Sequence, residues 1–276
     1  KERWLPQMVS GDLVTSCAFT EPGAGSDLLA CRTSAVRDEN SYLLNGQKTF
    51  IGSGISGDAA LVLARTDGSS ERASEDSFSL FFVEKSEGYT PGRQLDKMGI
   101  RASDTAELFF ENVRVPAENL IGEPGQGLAY VKQHLPQARL AIAAASAVIS
   151  RTTLNATLEY VKERKVFGSR VADFQNTRFE LANALMNTEL SELYVARAIA
   201  AFNAGELTAE DAAKAKVFAS EKACTITDRC LQLFGGYGYI NEHPAAQAFL
   251  AARLLPIFGG TNELLRDSIG FDLLAE

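Results

Sequence analysis

The chain has 276 residues, 46% of them hydrophobic, which suits one large domain or two ordinary ones and is too apolar for a disordered chain. A formal charge of −8 and a pI near 5.0 argue against non-specific binding to nucleic acid or an anionic membrane, while leaving room for a local basic pocket. No apolar run approaches the roughly 20 residues of a membrane helix, so neither a nucleic-acid nor a membrane partner is expected.

The start, Lys1-Glu2-Arg3-Trp4-Leu5-Pro6, is not a signal peptide and reads as the tail of something longer. Residues from about 12 to 116 read as β structure, with short apolar runs between turn signals. Within Tyr42–Lys48, Asn45-Gly46 can supply the positive φ of a two-residue turn, so a hairpin is expected there. Further strands are expected over Ala60–Arg65, Phe78–Glu84 and Ala106–Val115. The polar stretch Asp67–Asp76 reads as a surface loop.

From about Gly127 the pattern changes. Ala, Leu, Glu and Lys rise, and apolar residues recur at helical spacing. Long helices are expected over residues 128–164, 174–204 and 208–234, then shorter ones over 244–252 and 261–274. Thr208 followed by Asp211 marks a helix start. Strands followed by long helices imply an α+β chain with separate β and helical parts. The boundary is expected near Gly122-Glu123-Pro124-Gly125.

The four cysteines, Cys17, Cys31, Cys224 and Cys230, form no C-x-x-C pair, and only His134 and His243 accompany them. They read as buried free thiols in a reduced compartment, with no metal site.

Five segments are candidates for chemistry. In Thr20-Glu21-Pro22-Gly23-Ala24-Gly25-Ser26-Asp27, the glycines expose backbone N–H groups that can cradle a phosphate. A bare surface turn is the plainer reading, and the spacing fits neither a P-loop nor a Rossmann fingerprint. Asn45–Gly54 includes Phe50 and Ser53, either a wall for a planar ring or ordinary strand packing. Arg164-Lys165-Val166-Phe167-Gly168, with Gln175 beyond, reads as a helix C-terminus capped at Gly168 or as an arginine fork for a pyrophosphate. Gln232–Gly238 and Gly259-Gly260-Thr261-Asn262-Glu263 set glycines beside polar groups at helix ends, as caps or as ligand approaches.

Taken together, the order and wording of these segments resemble the acyl-CoA dehydrogenase family over essentially the whole chain, with the long-chain and isovaleryl-like subgroup pattern. Met98-Gly99-Ile100-Arg101-Ala102-Ser103-Asp104-Thr105, Leu135–Leu140 and Leu231-Gln232-Leu233-Phe234-Gly235-Gly236 join the match. The resemblance implies a central antiparallel β-barrel or sandwich domain followed by a C-terminal four-helix bundle. On that division, residues 1–10 close a missing N-terminal helical domain, 11–122 form the β domain and 123–276 the bundle.

The resemblance also implies FAD as cofactor and an acyl-CoA or acyl-carrier-protein thioester as substrate. An electron-transferring flavoprotein would be the oxidant. A homotetramer, built as a dimer of dimers, and a cytoplasmic or mitochondrial-matrix location are expected too. Phe19, Thr20, Gly25 and Ser26 would contact flavin and pyrophosphate, and Phe50 stands where the family usually has tryptophan against the ring. Arg164, Phe167, Gln175, Gln232 and Gly236 would bind the ADP part across a dimer interface; Thr261 and Glu263 would contact the same subunit's FAD. Ser103 and Arg139 correspond to positions near the acyl-CoA.

Two departures from the family pattern stand out. The family's reaction needs a carboxylate to take the α proton, placed either just before Gly-Thr in the last motif or just before the arginine of the first long helix. Here those positions hold Gly259 and Ala138. Three explanations stay open: an engineered replacement of glutamate at Ala138, a naturally non-dehydrogenating homologue or base-lacking partner subunit, or another group as base. Gly52 takes the place of the family's usual Thr or Ser, whose hydroxyl bonds flavin N5; Ser53 is adjacent but points differently.

Overall fold

The structure, a computed structural model, describes residues 1–68 and 73–275. The expected polar loop Asp67–Asp76 falls partly on residues 69–72, outside the described residues. The chain forms two compact units: Lys1–Lys97 with Arg101–Gln133, and Met98–Ile100 with His134–Glu276.

The first unit opens with a short helix, α1 (Leu5–Ser10), followed by eight strands: β1 (Thr15–Ala18), β2 (Ser34–Asp38), β3 (Ser41–Gly52), β4 (Ala59–Arg65), β5 (Phe78–Glu84), β6 (Tyr89–Gln94), β7 (Thr105–Pro116) and β8 (Leu120–Ile121). They make one sheet in the order β6-β7-β3-β2-β4-β5-β8, with β1 beside β4. Most pairs are antiparallel, but β1 runs parallel to β4, and β2 meets β4 in parallel at Ser34 and Arg65. Alternating apolar residues from β2, β3, β4, β5, β6 and β7 form the core, among them Leu44, Val62, Phe81, Leu108 and Val113.

The hairpin expected at Tyr42–Lys48 is not there. β3 runs unbroken through Asn45-Gly46, and the two-residue turn lies earlier, at Glu39-Asn40, between the paired Asp38 and Ser41. Glu39 takes the positive φ, 51°. Gly46 serves a close approach instead: a Cβ there would sit 2.4 Å from Thr33 Oγ1. Opposite it, Asn45 Oδ1 accepts from Asn112 N at 2.8 Å and steadies a bulge in β7.

The second unit is helical. α2 (Gly127–Glu163) belongs to it from His134 onward, and α3 (Gln175–Ala204), α4 (Ala209–Phe234), α5 (Pro244–Ala252) and α6 (Asn262–Ala275) follow. Thr208 caps α4 as expected, its side chain accepting from Asp211 N at 3.0 Å. Small residues let α2, α3 and α4 pack closely around Leu140, Ala143, Ala147, Val195, Ala198, Ala215 and Ala219. The buried hydroxyls of Ser146, Ser150 and Thr157 each donate to the carbonyl four residues back, so they enter the core satisfied. All four cysteines are free; Cys31 and Cys230 are buried, but Cys17 faces solvent because its side of β1 is the open one.

Candidate functional site

In the first unit, Glu21 and Ala24 close a tight turn over Pro22-Gly23, with N–H···O distances of 2.8 and 3.1 Å. A Cβ at Gly23 or Gly25 would meet nothing within 4 Å, so the backbone there is open to a ligand. The turn is fixed from beneath by Lys48. This lysine is fully buried, and its Nζ donates to Glu21 Oε1 at 2.9 Å and to the Phe19 carbonyl at 3.0 Å. Glu21 also accepts from Arg32 N (2.7 Å) and Thr33 N (2.9 Å). Burial alone would raise the Glu21 carboxyl, but Lys48 and these hydrogen bonds outweigh it and hold it below the usual carboxylate range. Thr20 is tied in through its carbonyl, which accepts from Thr49 N at 2.9 Å.

Just beyond Thr49 the β3–β7 register slips. Lys48 pairs with Leu108 and Ile51 with Ala106, leaving one extra residue on β3. Such a bulge re-aims side chains. Phe50 stands out: the residue is 70% exposed and has φ at 58°, a conformation bulky residues avoid. Ser53 is also left-handed, φ 55°, and its N–H donates to the Asp104 carbonyl at 3.1 Å. The Asp104 carboxylate accepts from Ile55 N (3.1 Å) and Ser56 N (2.9 Å). Burial pushes Asp104 up, yet the bonds from Ser56, Ile55 and Gly54 bring it below its ordinary value. Gly52 has open space at its Cβ position. Ser103 is exposed and its carbonyl accepts from Lys97 Nζ at 2.7 Å.

In the second unit, Arg139 on α2 donates from Nε to the Gly259 carbonyl at 3.1 Å. Burial pushes the Arg139 guanidinium down. Ala138 precedes it on an exposed part of the helix. Gly259 and Gly260 have φ values of 69° and 90° and lead into α6, where Thr261 Oγ1 accepts from Leu264 N at 3.3 Å. Glu263 is exposed in the first turn of α6.

A cavity of about 530 Å³ in this unit is lined by Arg164, Gln232 and Gly236 together with Tyr160, Phe234 and Tyr237. Three of the five residues expected to hold the ADP part therefore share one cleft; Phe167 and Gln175 do not line it. The capped-helix reading of Arg164–Gly168 is corrected by the structure. α2 ends at Glu163, and Lys165–Val166 pairs with Ser169–Arg170 in a small hairpin. Its turn residues, Phe167 and Gly168, both have positive φ, 51° and 79°, as a primed turn requires. Phe167 is 99% exposed.

Four side chains that hold these segments in place were given no role by the sequence pattern: Lys48, Asp104, Lys216 and Asn262. Lys216 had a visible signal. It falls on the α4 stripe of Ala212, Ser220, Ala223 and Thr227, where every neighbour is small and buried. Lys48 occupies an inward position in the β3 alternation.

Residues 16–113 match the model of the acyl-CoA dehydrogenase middle domain and residues 125–274 that of the acyl-CoA dehydrogenase C-terminal domain. The chain belongs to the acyl-CoA dehydrogenase family. It is 40% identical over 276 residues to the long-chain specific acyl-CoA dehydrogenase, mitochondrial, of Rattus norvegicus, covering 100% of this chain and 64% of that protein. The chain thus spans less than two thirds of that relative. An acyl-CoA dehydrogenase structure from Geobacillus kaustophilus superposes with a TM-score of 0.95 at 40% identity, over 99% of this chain and 72% of that one. A chain in the structure of the electron transferring flavoprotein of Acidaminococcus fermentans also gives 0.95, at 36% identity, over 100% and 72%.

Acyl-CoA dehydrogenases are FAD-dependent flavoproteins, and the residues present fit that cofactor. The open glycines of the Thr20–Asp27 turn suit a phosphate. Phe50 offers an exposed aromatic face. The Arg164 cleft supplies a cation beside unencumbered backbone at Gly235 and Gly236.

Proposed function

We propose that this chain binds FAD and an acyl thioester, on CoA or on a carrier protein, and has the architecture for α,β-dehydrogenation of that thioester. When bound, FAD supplies the acceptor for the hydride leaving the β carbon. The chain's own residues would bind and orient. Thr20, Gly25 and Ser26 would hold the pyrophosphate side of the flavin. Phe50 would wall the ring, with Ser53 three residues on, and Phe19, next to Thr20, would contact the flavin. Arg164, Gln232 and Gly236 would take the ADP part, assisted by Phe167 and Gln175; Thr261 and Glu263 would contact it from the head of α6. Ser103 and Arg139 would lie near the acyl chain.

The observation that carries this reading is the Arg139–Gly259 hydrogen bond. It brings together the two segments where the family keeps its proton acceptor. Neither segment has an acid at the required place: position 138 is alanine and position 259 is glycine. An alanine cannot take a proton, and losing a positioned base costs about 10²–10⁴ in rate. The decisive experiment is Ala138→Glu, assayed for desaturation across acyl chain lengths with an artificial electron acceptor. Turnover appearing only in the variant supports a dehydrogenase framework without its base; no turnover at any chain length sinks it.

The same two empty positions favour a second reading, a flavoprotein that binds acyl thioester or a partner subunit without dehydrogenating it. It expects tight thioester binding and no flavin bleaching even in Ala138→Glu.

For partners, an electron-transferring flavoprotein is the proposed oxidant, in keeping with the Acidaminococcus fermentans neighbour. A homotetramer is proposed from α3, which carries two apolar faces. Thr177, Ala184, Thr188, Ser191, Val195 and Ala198 are buried within the unit, while Phe179, Met186, Leu190 and Leu193 form an exposed stripe on the opposite side. No helix among the described residues is long and apolar enough to cross a membrane. A mitochondrial-matrix or cytoplasmic location is proposed, the former by analogy with the mitochondrial relatives.

A further inference from the structure

Lys216 is a charged group that the scheme above leaves unused. It is fully buried, on the α4 stripe of Ala212, Ser220, Ala223 and Thr227. A buried ammonium is costly unless it is hydrogen-bonded, whereas an apolar side chain would pack there freely. Here Nζ donates to the Gly260 carbonyl at 2.9 Å and to Asn262 Oδ1 at 2.8 Å. Asn262, itself 1% exposed, donates onward to Ser220 Oγ (3.0 Å) and Glu221 Oε1 (3.2 Å). Glu221 is paired with Arg266 at 2.6 Å. Residues 216, 220 and 221 of α4 therefore grip residues 260, 262 and 266 at the start of α6.

The gripped segment needs holding. Gly259 and Gly260 are consecutive left-handed glycines, the most mobile kind of backbone. Two successive carbonyls are fixed by two cations from different helices: Gly259 by Arg139 of α2 and Gly260 by Lys216 of α4. Immediately beyond them lies the first turn of α6, where Asn262 N donates to the Pro256 carbonyl at 2.9 Å and Leu264 N to Thr261 Oγ1 at 3.3 Å, and where the positive end of the helix dipole favours an anion.

We propose that Lys216 is a positioning residue for a diphosphate-bearing ligand at the head of α6, fixing the Gly259–Glu263 segment and adding its charge to the helix end. This rests on the flavoprotein reading above. A consequence concerns protons. Burial and the Arg139 guanidinium push the Lys216 ammonium down to about 8, while Glu263 of α6 and Glu221 of its own helix pull the other way; Glu221 is itself paired with Arg266. An anion at the head of α6 favours the charged amine, so binding near or above that pH draws in a proton.

The test is calorimetry of FAD binding to the apo form of the full chain, at about pH 8.5 in two buffers of different ionisation enthalpy. The unsubstituted chain is expected to take up a fraction of a proton per FAD. Lys216→Arg stays charged at that pH and is expected to bind FAD without the uptake. Lys216→Met is expected to lose the uptake and to raise the Kd for FAD roughly ten-fold, as the segment loosens and the charge beside the helix end is removed. If Lys216→Met does not fold, the arginine variant decides alone. FAD binding without proton uptake in the unsubstituted chain, or uptake unchanged in Lys216→Arg, overturns the role of Lys216 and leaves the flavoprotein reading standing. No FAD binding at all overturns both.

Discussion

Arg139 Nε and the carbonyl of Gly259 lie 3.1 Å apart although 120 residues separate them in the chain. The two positions this bond brings together differ as hosts for a proton acceptor. Ala138 is exposed on α2, two residues after Pro136, so a longer side chain there can extend into open space. Gly259 has φ 69°, and a Cβ on it would approach Ile142 Cδ1 to 2.5 Å. Ala138→Glu is therefore expected to raise the dehydrogenation rate by about 10²–10⁴. Gly259→Glu is expected to lose about 1–2 kcal/mol of stability to the left-handed backbone and to give no comparable gain. Steady-state rates and thermal unfolding of both variants check this; equal gains at the two positions would refute the distinction.

The floor of the Thr20–Asp27 turn is an ion pair, Lys48–Glu21, with side chains 0% and 7% exposed. Lys48→Met strands the buried carboxylate, and a loss of about 3–5 kcal/mol is expected near neutral pH. The sign with pH follows from the folded state. Glu21 sits below its ordinary value, so its contribution is present above the unfolded value of about 4.3 and is lost as pH falls through the folded one. In Lys48→Met burial is the main influence left, and it raises the carboxyl. The dependence is then expected to invert, the variant recovering stability on acidification. Urea unfolding of both proteins at about pH 7 and pH 5 reads this directly; parallel losses in the two would show that Lys48 does not govern Glu21.

Much of this architecture is legible in the sequence, because period and punctuation carry it. Phe78–Glu84 and Pro244–Ala252 appear with the bounds the pattern suggests, and Thr208 caps α4 as its spacing with Asp211 implies. Asn45-Gly46 misleads because the dipeptide suits both a turn and a bulge. Which one forms depends on β7 being long enough to pair along all of β3, a non-local fact. Arg164–Gly168 misleads for a similar reason: the helix ends at Glu163, and the glycine belongs to the hairpin after it. The periodicity marks Lys216 and Lys48 as inward-facing, but their partners, Gly260 with Asn262 and Glu21, are distant in sequence and could not be read from it. The motifs at Thr20–Asp27, Leu231–Gly236 and Gly259–Glu263 carry the family resemblance in local wording, and at Gly235, Gly259 and Gly260 the left-handed backbone itself calls for glycine.

The exposed stripe on α3 makes oligomerisation testable. Phe179, Met186, Leu190 and Leu193 recur at spacings of seven, four and three, close to a heptad seam. Leu190→Glu with Leu193→Glu would bury like charges in any symmetric contact through this face. The double variant is expected to shift to a smaller species by light scattering after size exclusion. Its Tm is expected to fall little if the face is free within the unit, since exposed substitutions usually cost about 0.5 kcal/mol or less. An unchanged mass would remove α3 from the interface.

Gly52 offers a different kind of test, because its Cβ position is open and its φ is not in the left-handed region. Gly52→Thr is expected to fold with stability within about 1 kcal/mol of the parent. A new hydroxyl at that place would donate to the flavin and shift its absorption bands and reduction potential. Identical spectra and potential would show that position 52 does not approach the flavin N5.

Phe50 separates a binding role from a packing one most sharply. If its ring were core, truncation would cost about 3–5 kcal/mol. But the residue is 70% exposed, and its backbone is held at φ 58°, where a non-glycine residue carries about 1–3 kcal/mol of strain. Phe50→Gly relieves that strain at a bulge whose flanks are already fixed by Thr20–Thr49 and Ser53–Asp104. The apo protein is therefore expected to keep its stability or gain slightly. FAD affinity is expected to fall by roughly ten-fold, the worth of one aromatic stack. Chemical denaturation of the apo form and fluorescence titration with FAD give the two readouts. A large loss of stability with unchanged flavin affinity would assign Phe50 to the fold and take it out of the cofactor site.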